Sequence, residues 1–338
     1  MMRSTFLLRS PRLFFVLLVG LLLGSILLAF NVGKYPLSPS QLWETISCSF
    51  NGQCQGNTEQ TVLWQIRLPR IFAACFVGAA LACAGATYQG MFKNPLVSPD
   101  ILGVSAGAGF GASLAIFYNL PMIYIQFFAF SGGILAVLCV SLIASRSRTQ
   151  DPILVLVLSG IAIGSLLGAG ISLLKILADP FTQLPSITFW LLGSLTAINQ
   201  QDLIQLIPIL LLGIIPIFLL RWRLNLLSLD EDEAQTLGVP IKRTRWILIV
   251  FTTLCTASAV AMTGIIGWVG LLVQHIARLL VGANFIRLLP TSLLLGASFL
   301  LLTDTLARTI APIELPLGIL TSACGAPFFL YLLVRGQK

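Results

Sequence analysis

The sequence predicts an all-α integral membrane protein: one bundle of about ten transmembrane helices. Three observations carry that prediction. The 338-residue chain is 57% hydrophobic and only 9% charged, with mean hydropathy +0.95, far less charge than a soluble surface of this size needs. Apolar runs of about 17–22 residues recur from end to end, each long enough to cross hydrocarbon as a helix. The ten-residue alternation of a membrane β-barrel does not occur. Backbone groups in lipid must satisfy one another, which leaves helices.

The first apolar run, 13–30, follows Arg3, Arg9 and Arg12. It is longer than most signal-peptide cores and lacks a convincing small-residue cleavage site, so a retained helix over 13–31 is expected. Further spans are expected at 71–92, 101–119, 123–144, 152–173, 201–221, 246–264, 266–282, 290–307 and 315–335. Breakers punctuate them: Asn94-Pro95, Pro99-Asp100, Asn119-Leu120-Pro121, Asp151-Pro152 and Pro290. Residues 1–338 thus read as one membrane domain, with sizeable polar inserts only near 32–62 and 221–245.

Basic residues orient the bundle. With the N-terminus in the cytoplasm, fifteen of the twenty Lys and Arg fall inside, and only Lys34, Arg67, Arg70, Lys175 and Arg308 fall outside. Both termini and the 221–245 insert then face inward, and the 32–62 insert faces the periplasm. Attraction to anionic inner-leaflet lipid accounts for the net charge of +8 without nucleic-acid binding.

Cys75, Cys83, Cys139, Cys255 and Cys324 lie within apolar spans and read as small hydrophobes. Cys48 and Cys54 lie in the outer insert with an Asn-Gly turn between them. An oxidising compartment permits a disulfide there; two free thiols are the alternative. Gly103, Gly107 and Gly111 recur every fourth position, as do Gly160, Gly164 and Gly168. Such stripes let helices approach closely in lipid, and lining a pore is the alternative.

Catalytic chemistry is sparse. No P-loop pattern is present. The one histidine, His275, stands without a metal-spaced cluster. Lys175, Asp179, Asp202, Asp304 and Glu314 are the intramembrane ionisable candidates, all near outer ends of spans. Neither an enzyme's catalytic set nor a proton-coupled carrier's midplane acid is expected from them.

Residues 226–246 are the one long charged block. Ser228 reads as an N-cap, with Glu231 completing a capping box. Asp230, Glu231, Asp232 and Glu233 then fall in a first turn, where the helix dipole favours negative charge. Gly238 ends the helix and Pro240 prevents its continuation, giving a helix of about nine residues with Leu229, Ala234 and Leu237 available for packing. A solvated connector is the alternative to a knob that docks on a soluble ATPase. At the outer face, Arg67, Arg70 and Arg308 cluster where bases are scarce. They either anchor helix ends or meet carboxylates of a delivering protein.

A family resemblance joins these pieces. Gln65-Ile-Arg-Leu-Pro-Arg70, Gly78-Ala-Ala-Leu-Ala-Cys-Ala-Gly85, Asn94-Pro-Leu-Val-Ser-Pro-Asp-Ile-Leu-Gly103, Leu227 to Gly238, Gly267 to Arg278, Thr303 to Arg308 and Glu314 to Pro327 resemble, in this order, the FecCD family of ABC importer permeases. The resemblance runs from about residue 13 to the C-terminus. It implies a ten-helix, type II permease of the bacterial inner membrane, non-catalytic, paired with a second permease copy (itself or a close paralogue). Two ABC ATPase subunits would hold the ATP and magnesium, and this chain would hold no cofactor or metal. A periplasmic or lipid-tethered binding protein would deliver the ligand.

Iron(III)-siderophore is the expected cargo, as the family's most frequent one. Haem and cobalamin are the alternatives within the family, and an ATP-independent secondary transporter is the alternative outside it. The resemblance assigns Arg67, Arg70 and Arg308 to binding-protein docking. It assigns Ser228, Leu229, Asp230, Glu231, Ala234, Leu237 and Gly238 to ATPase coupling, and Asn94 and Leu96 to an inner gate. Gln274 departs from it, since proline is common before His-Ile-Ala-Arg; the shape of the eighth span is therefore the point to check. The expected mechanism is alternating access through a largely apolar cavity, driven from outside the chain.

Overall fold

A computed structural model describes residues 11–35, 38–51, 58–147, 152–229 and 231–335. Among them the chain forms α1 (Pro11–Asn31), α2 (Pro39–Asn51), α3 (Thr58–Thr61), α4 (Leu68–Met91), α5 (Val104–Phe117), α6 (Met122–Arg146), α7 (Pro152–Leu177) and α8 (Gln183–Leu191). There follow α9 (Gln200–Leu219), α10 (Arg221–Leu227), α11 (Glu231–Thr236), α12 (Ile241–Thr263), α13 (Val269–Val281), α14 (Phe285–Thr309) and α15 (Leu317–Arg335). A π-helical turn, Val62–Arg67, runs directly into α4, and a 3-10 turn, Pro99–Leu102, precedes α5. No strand occurs among the described residues.

Every expected span coincides with a helix: α1, α4, α5, α6, α7, α9, α12, α13, α14 and α15. Among the described residues seven helices are long and apolar enough to cross a membrane, whereas α5, α13 and α15 offer shorter apolar stretches. Helices α2, α3, α8 and α10 fall outside the expected elements. The short helix α8 lies between α7 and α9, where nine residues are too few to register as a span.

Local chemistry sets the ends. Asn199 and Asp202 form a reciprocal capping box at the start of α9: the Asp202 N–H donates to Asn199 Oδ1 at 3.0 Å, and the Asn199 N–H to Asp202 Oδ2 at 3.1 Å. Asn284 caps α14 by accepting the Ile286 N–H at 3.0 Å.

The bundle is built around α4, which packs against α9, α12, α13 and α14. Its face is alanine and glycine, and Ala73, Ala74, Ala80, Ala82, Ala84 and Ala86 are all fully buried. Small side chains bring backbones together, the main source of helix attraction in lipid. A Cβ at Gly78 would collide with the Gly296 carbonyl of α14, and one at Gly107 with the Gly132 carbonyl of α6. The two glycine stripes differ. Gly107 and Gly111 pack directly on α6, and Gly160 packs on the Ile101 carbonyl, but Gly168 has nothing within 4 Å. Gly296→Ala is therefore expected to cost about 1–3 kcal/mol by overpacking, and Gly168→Ala less than about 0.5 kcal/mol. Thermal unfolding of the two purified variants in detergent checks the contrast.

Candidate functional site

At one end of the bundle, the start of α4, the end of α14 and the approach to α15 converge. Arg70 Nε donates to both oxygens of Asp304, at 2.9 and 3.1 Å, and its Nη2 lies 2.9 Å from Oδ1. Arg70 Nη1 donates to Glu314 Oε2 at 2.9 Å. Arg308, one turn beyond Asp304, places Nε 3.2 Å from Oδ2. The Thr196 hydroxyl donates to Glu314 at 2.9 Å. Arg67 donates to the carbonyls of Phe30 and Tyr35.

The convergence of Arg67, Arg70 and Arg308 is present, but the expected free surface cations are not. The three are 3%, 5% and 6% exposed, and Asp304 is 0% exposed. The physical reason is local. A buried guanidinium without a partner is far costlier than one paired within its own chain, and the fork geometry suits a carboxylate. Burial pushes the Glu314 carboxyl up, but the Arg70 guanidinium, the Arg70 and Thr196 hydrogen bonds and Lys34 outweigh it. They hold its pKa below the usual carboxylate value.

The opposite end carries the connector between α9 and α12. The capping box expected here pairs Ser228 with the Glu231 side chain, which lies outside the described residues. Ser228 closes α10, its Oγ donating to the Leu224 carbonyl at 3.1 Å, because the last carbonyls of that helix need partners. Among the described residues α11 runs over six, Glu231–Thr236, rather than about nine. Its end follows expectation: Gly238 has φ 80° and donates to the Gln235 carbonyl at 2.9 Å. Ala234 is buried, while Leu229 and Leu237 are exposed. Asp230 and the side chain of Glu231 lie outside the described residues.

This connector is tied to the bundle. Asn225 Nδ2 donates to Asn284 Oδ1 at 3.1 Å, and the Phe285 N–H donates to Asn225 Oδ1 at 2.8 Å. Lys93, with φ 51°, donates through Nζ to the Leu229 carbonyl. Asn94 follows it in the turn after α4, and Asn94 Oδ1 accepts the Leu96 N–H at 2.9 Å, leaving Leu96 exposed at the tip. Asn94, Leu96 and the α10–α11 connector are thus joined through Lys93.

Sequence reasoning missed one acid. Asp100 reads as part of a breaker, yet the 3-10 turn that carries it folds back into the bundle. Asp100 shares a small pocket with Leu81 of α4, Thr256 and Val260 of α12, and Trp268 and Gly270 at the start of α13. Beside it the chain is non-helical over 264–267, with Gly264 at φ 70° and Trp268 at φ 69°. Neighbouring loops satisfy part of the broken backbone around this opening. The Ser194 N–H donates to the Thr263 carbonyl at 2.7 Å, and the Leu317 and Gly318 N–H groups donate to the Gly193 and Leu192 carbonyls, each at 2.9 Å. Irregular backbone at membrane depth survives only with such cover or along a wet cavity. The signal in the sequence was an acid directly after proline between two apolar runs.

Gln274 leaves α13 unbroken. It is fully buried, and Nε2 donates to the Gly270 carbonyl one turn back. Cys48 is disulfide-bonded, Cys54 lies outside the described residues, and Cys75, Cys83, Cys139, Cys255 and Cys324 are free. No group of three His, Cys, Asp or Glu able to hold a metal occurs among the described residues.

Comparison with known proteins agrees with this architecture. The FecCD transport family matches residues 21–335. The molybdate import system permease protein MolB of Haemophilus influenzae is 40% identical over 332 residues, 96% of this chain and 97% of that one. The Fe(3+)-citrate import system permease protein YfmE of Bacillus subtilis is 38% identical over 96% of each chain. A solved structure of a metal-chelate type ABC transporter in an inward-facing conformation matches with TM-score 0.86 at 39% identity, over 96% of this chain and all of the other. The chain belongs to the FecCD transport family and is a multi-pass membrane permease of an ABC importer.

Proposed function

We propose that this chain forms the passage of a binding-protein-dependent importer for iron(III)-siderophore, opened and closed by ATP hydrolysis in two separate subunits. The observation that carries the mechanism is the Lys93 link between the exposed α10–α11 connector and the Asn94–Leu96 turn. A partner pressing on Leu229 and Leu237 would move the turn at the mouth of the passage with it, a two-state packing change. Asn94 and Leu96 then act as the inner gate, and the stretch Ser228 to Gly238, Asp230 and Glu231 included, as the coupling element. The bundle works as one domain with both termini and 221–245 in the cytoplasm and 32–62 in the periplasm, beside a second copy of itself.

Docking of the binding protein falls at the Arg67, Arg70 and Arg308 end. Because these arginines are already paired, incoming carboxylates would compete with the partly exposed Glu314 for Arg70. A Cys48–Cys54 bridge braces the loop at that end. Alkylation of the native protein followed by intact-mass analysis should find neither thiol modified, and two alkylated cysteines there would remove the bridge.

The iron cargo is supported by the relative named for Fe(3+)-citrate and the metal-chelate type structure, while the molybdate relative shows that cargo varies among similar chains. Cells lacking this chain should lose uptake of radiolabelled iron(III)-siderophore and regain it on complementation. Restoration of molybdate uptake alone would overturn the cargo assignment.

A further inference from the structure

We propose that Asp100 is a fixed negative charge in the wall of the passage and selects neutral or cationic cargo over anionic cargo. The cargo half of this rests on the chelate-importer reading; the wall half does not. The argument starts from depth. Leu81, which lines the Asp100 pocket, lies in α4, which spans Leu68–Met91. At 1.5 Å per residue it is about 20 Å from one end of that helix and about 15 Å from the other. Thr256 and Val260, near the end of α12, and Gly270, at the start of α13, lie at the same level. Asp100 is therefore near half depth, unlike Asp304, which sits in the last turns of α14.

The residue nevertheless keeps exposed surface on the isolated chain. The Ser105 hydroxyl donates to Asp100 Oδ1, which occupies one lone pair of a group that can accept about four bonds. No Lys or Arg lines the pocket; its other polar groups are Ser98, Ser105, Thr256 and the indole N–H of Trp268. An exposed carboxylate without a cation cannot face hydrocarbon at half depth. The side onto which Asp100 opens is thus wet, and the passage is the wet route an importer has at that level. Low-dielectric walls leave such a charge poorly screened. It raises the barrier for a tricatecholate iron(III) chelate of charge −3 and lowers it for a trihydroxamate chelate whose pendant ammonium gives it charge +1.

A cysteine at Ser98 reports on this directly. Ser98 makes no capping hydrogen bond, so Ser98→Cys is tolerable. It is placed in the full chain with the exposed Cys139 and Cys324 changed to serine. In membrane vesicles containing the assembled importer, the cationic trimethylammonioethyl and anionic sulfonatoethyl methanethiosulfonates are compared, each normalised to its rate with a free thiol. The expected result is reaction with both reagents and about a tenfold preference for the cation, kept in Asp100→Glu and largely lost in Asp100→Asn. No reaction with either reagent, or a preference unchanged by Asp100→Asn, overturns the proposal. Uptake of the +1 and −3 iron complexes should shift toward the anion by a similar factor in Asp100→Asn, and an unshifted ratio overturns the selection claim. A wild type that carries neither complex sinks the siderophore reading, while the thiol preference still decides the place of Asp100.

Discussion

Replacing Asp304 by alanine is expected to destabilise the protein by about 3–5 kcal/mol, the cost of removing one partner from a buried ion pair. Asp304 is fully buried and receives Arg70 and Arg308 together. Without it, Arg308 loses its carboxylate and Arg70 keeps only Glu314, so two guanidiniums remain in a low-dielectric site with too few acceptors. Asp304→Asn retains shape and one acceptor but no charge, and should fall between. Replacing Arg70, Asp304 and Arg308 together by apolar residues of similar size should recover most of the loss, since the penalty comes from uncompensated charge rather than from the missing bridge itself. Thermal midpoints of the purified variants test this series. An alanine variant within about 1 kcal/mol of wild type would mean that water reaches the cluster. The same reasoning bears on docking: charge reversal at Arg67, Arg70 or Arg308 disturbs folding first, so any loss of binding-protein affinity has to be read on variants shown to be folded.

The spans were legible because hydropathy depends only on length and composition, and α1, α6, α7, α9, α12 and α14 satisfy both. Their arrangement was not legible. α4 lies at the centre and α7 mostly at the outside, yet both read as apolar runs; alanine and glycine at the α4–α14 crossing hint at contact without naming the partner. The arginine cluster was half legible. Scarcity of outer bases marked Arg67, Arg70 and Arg308, but their occupancy depends on Asp304 and Glu314, which lie 234 and 244 residues from Arg70. Ser228 read as the start of α11, but its hydroxyl donates back to Leu224, a partner that exists only because α10 precedes it. Asp100 was hidden because a chain that folds back into the membrane looks, residue by residue, like a chain that leaves it.

Leu237→Pro is expected to lower ATP-driven uptake at least about tenfold while leaving the bundle folded. The Leu237 N–H donates to the Glu233 carbonyl at 3.2 Å. Proline removes that donor and drives its ring into the same carbonyl, a local cost of about 3 kcal/mol. The damage stays local for two reasons. Leu237 is 57% exposed and contributes little to the core, and α12 begins independently at Ile241, after Pro240. The thermal midpoint should therefore move little even as α11 is lost. Leu237→Ala separates the two ways α11 could act: it keeps the helix and removes only the exposed apolar side chain, so a loss as large as that of the proline variant would place the coupling contact on Leu237 itself. Lys93→Met supplies the third arm. It leaves α11 intact and cuts its bond to the Asn94 turn, so it should preserve ATP hydrolysis and depress uptake. Wild-type uptake in both Leu237→Pro and Lys93→Met would show that force enters the bundle elsewhere, with the Asn225–Asn284 contact between α10 and α14 the next place to cut.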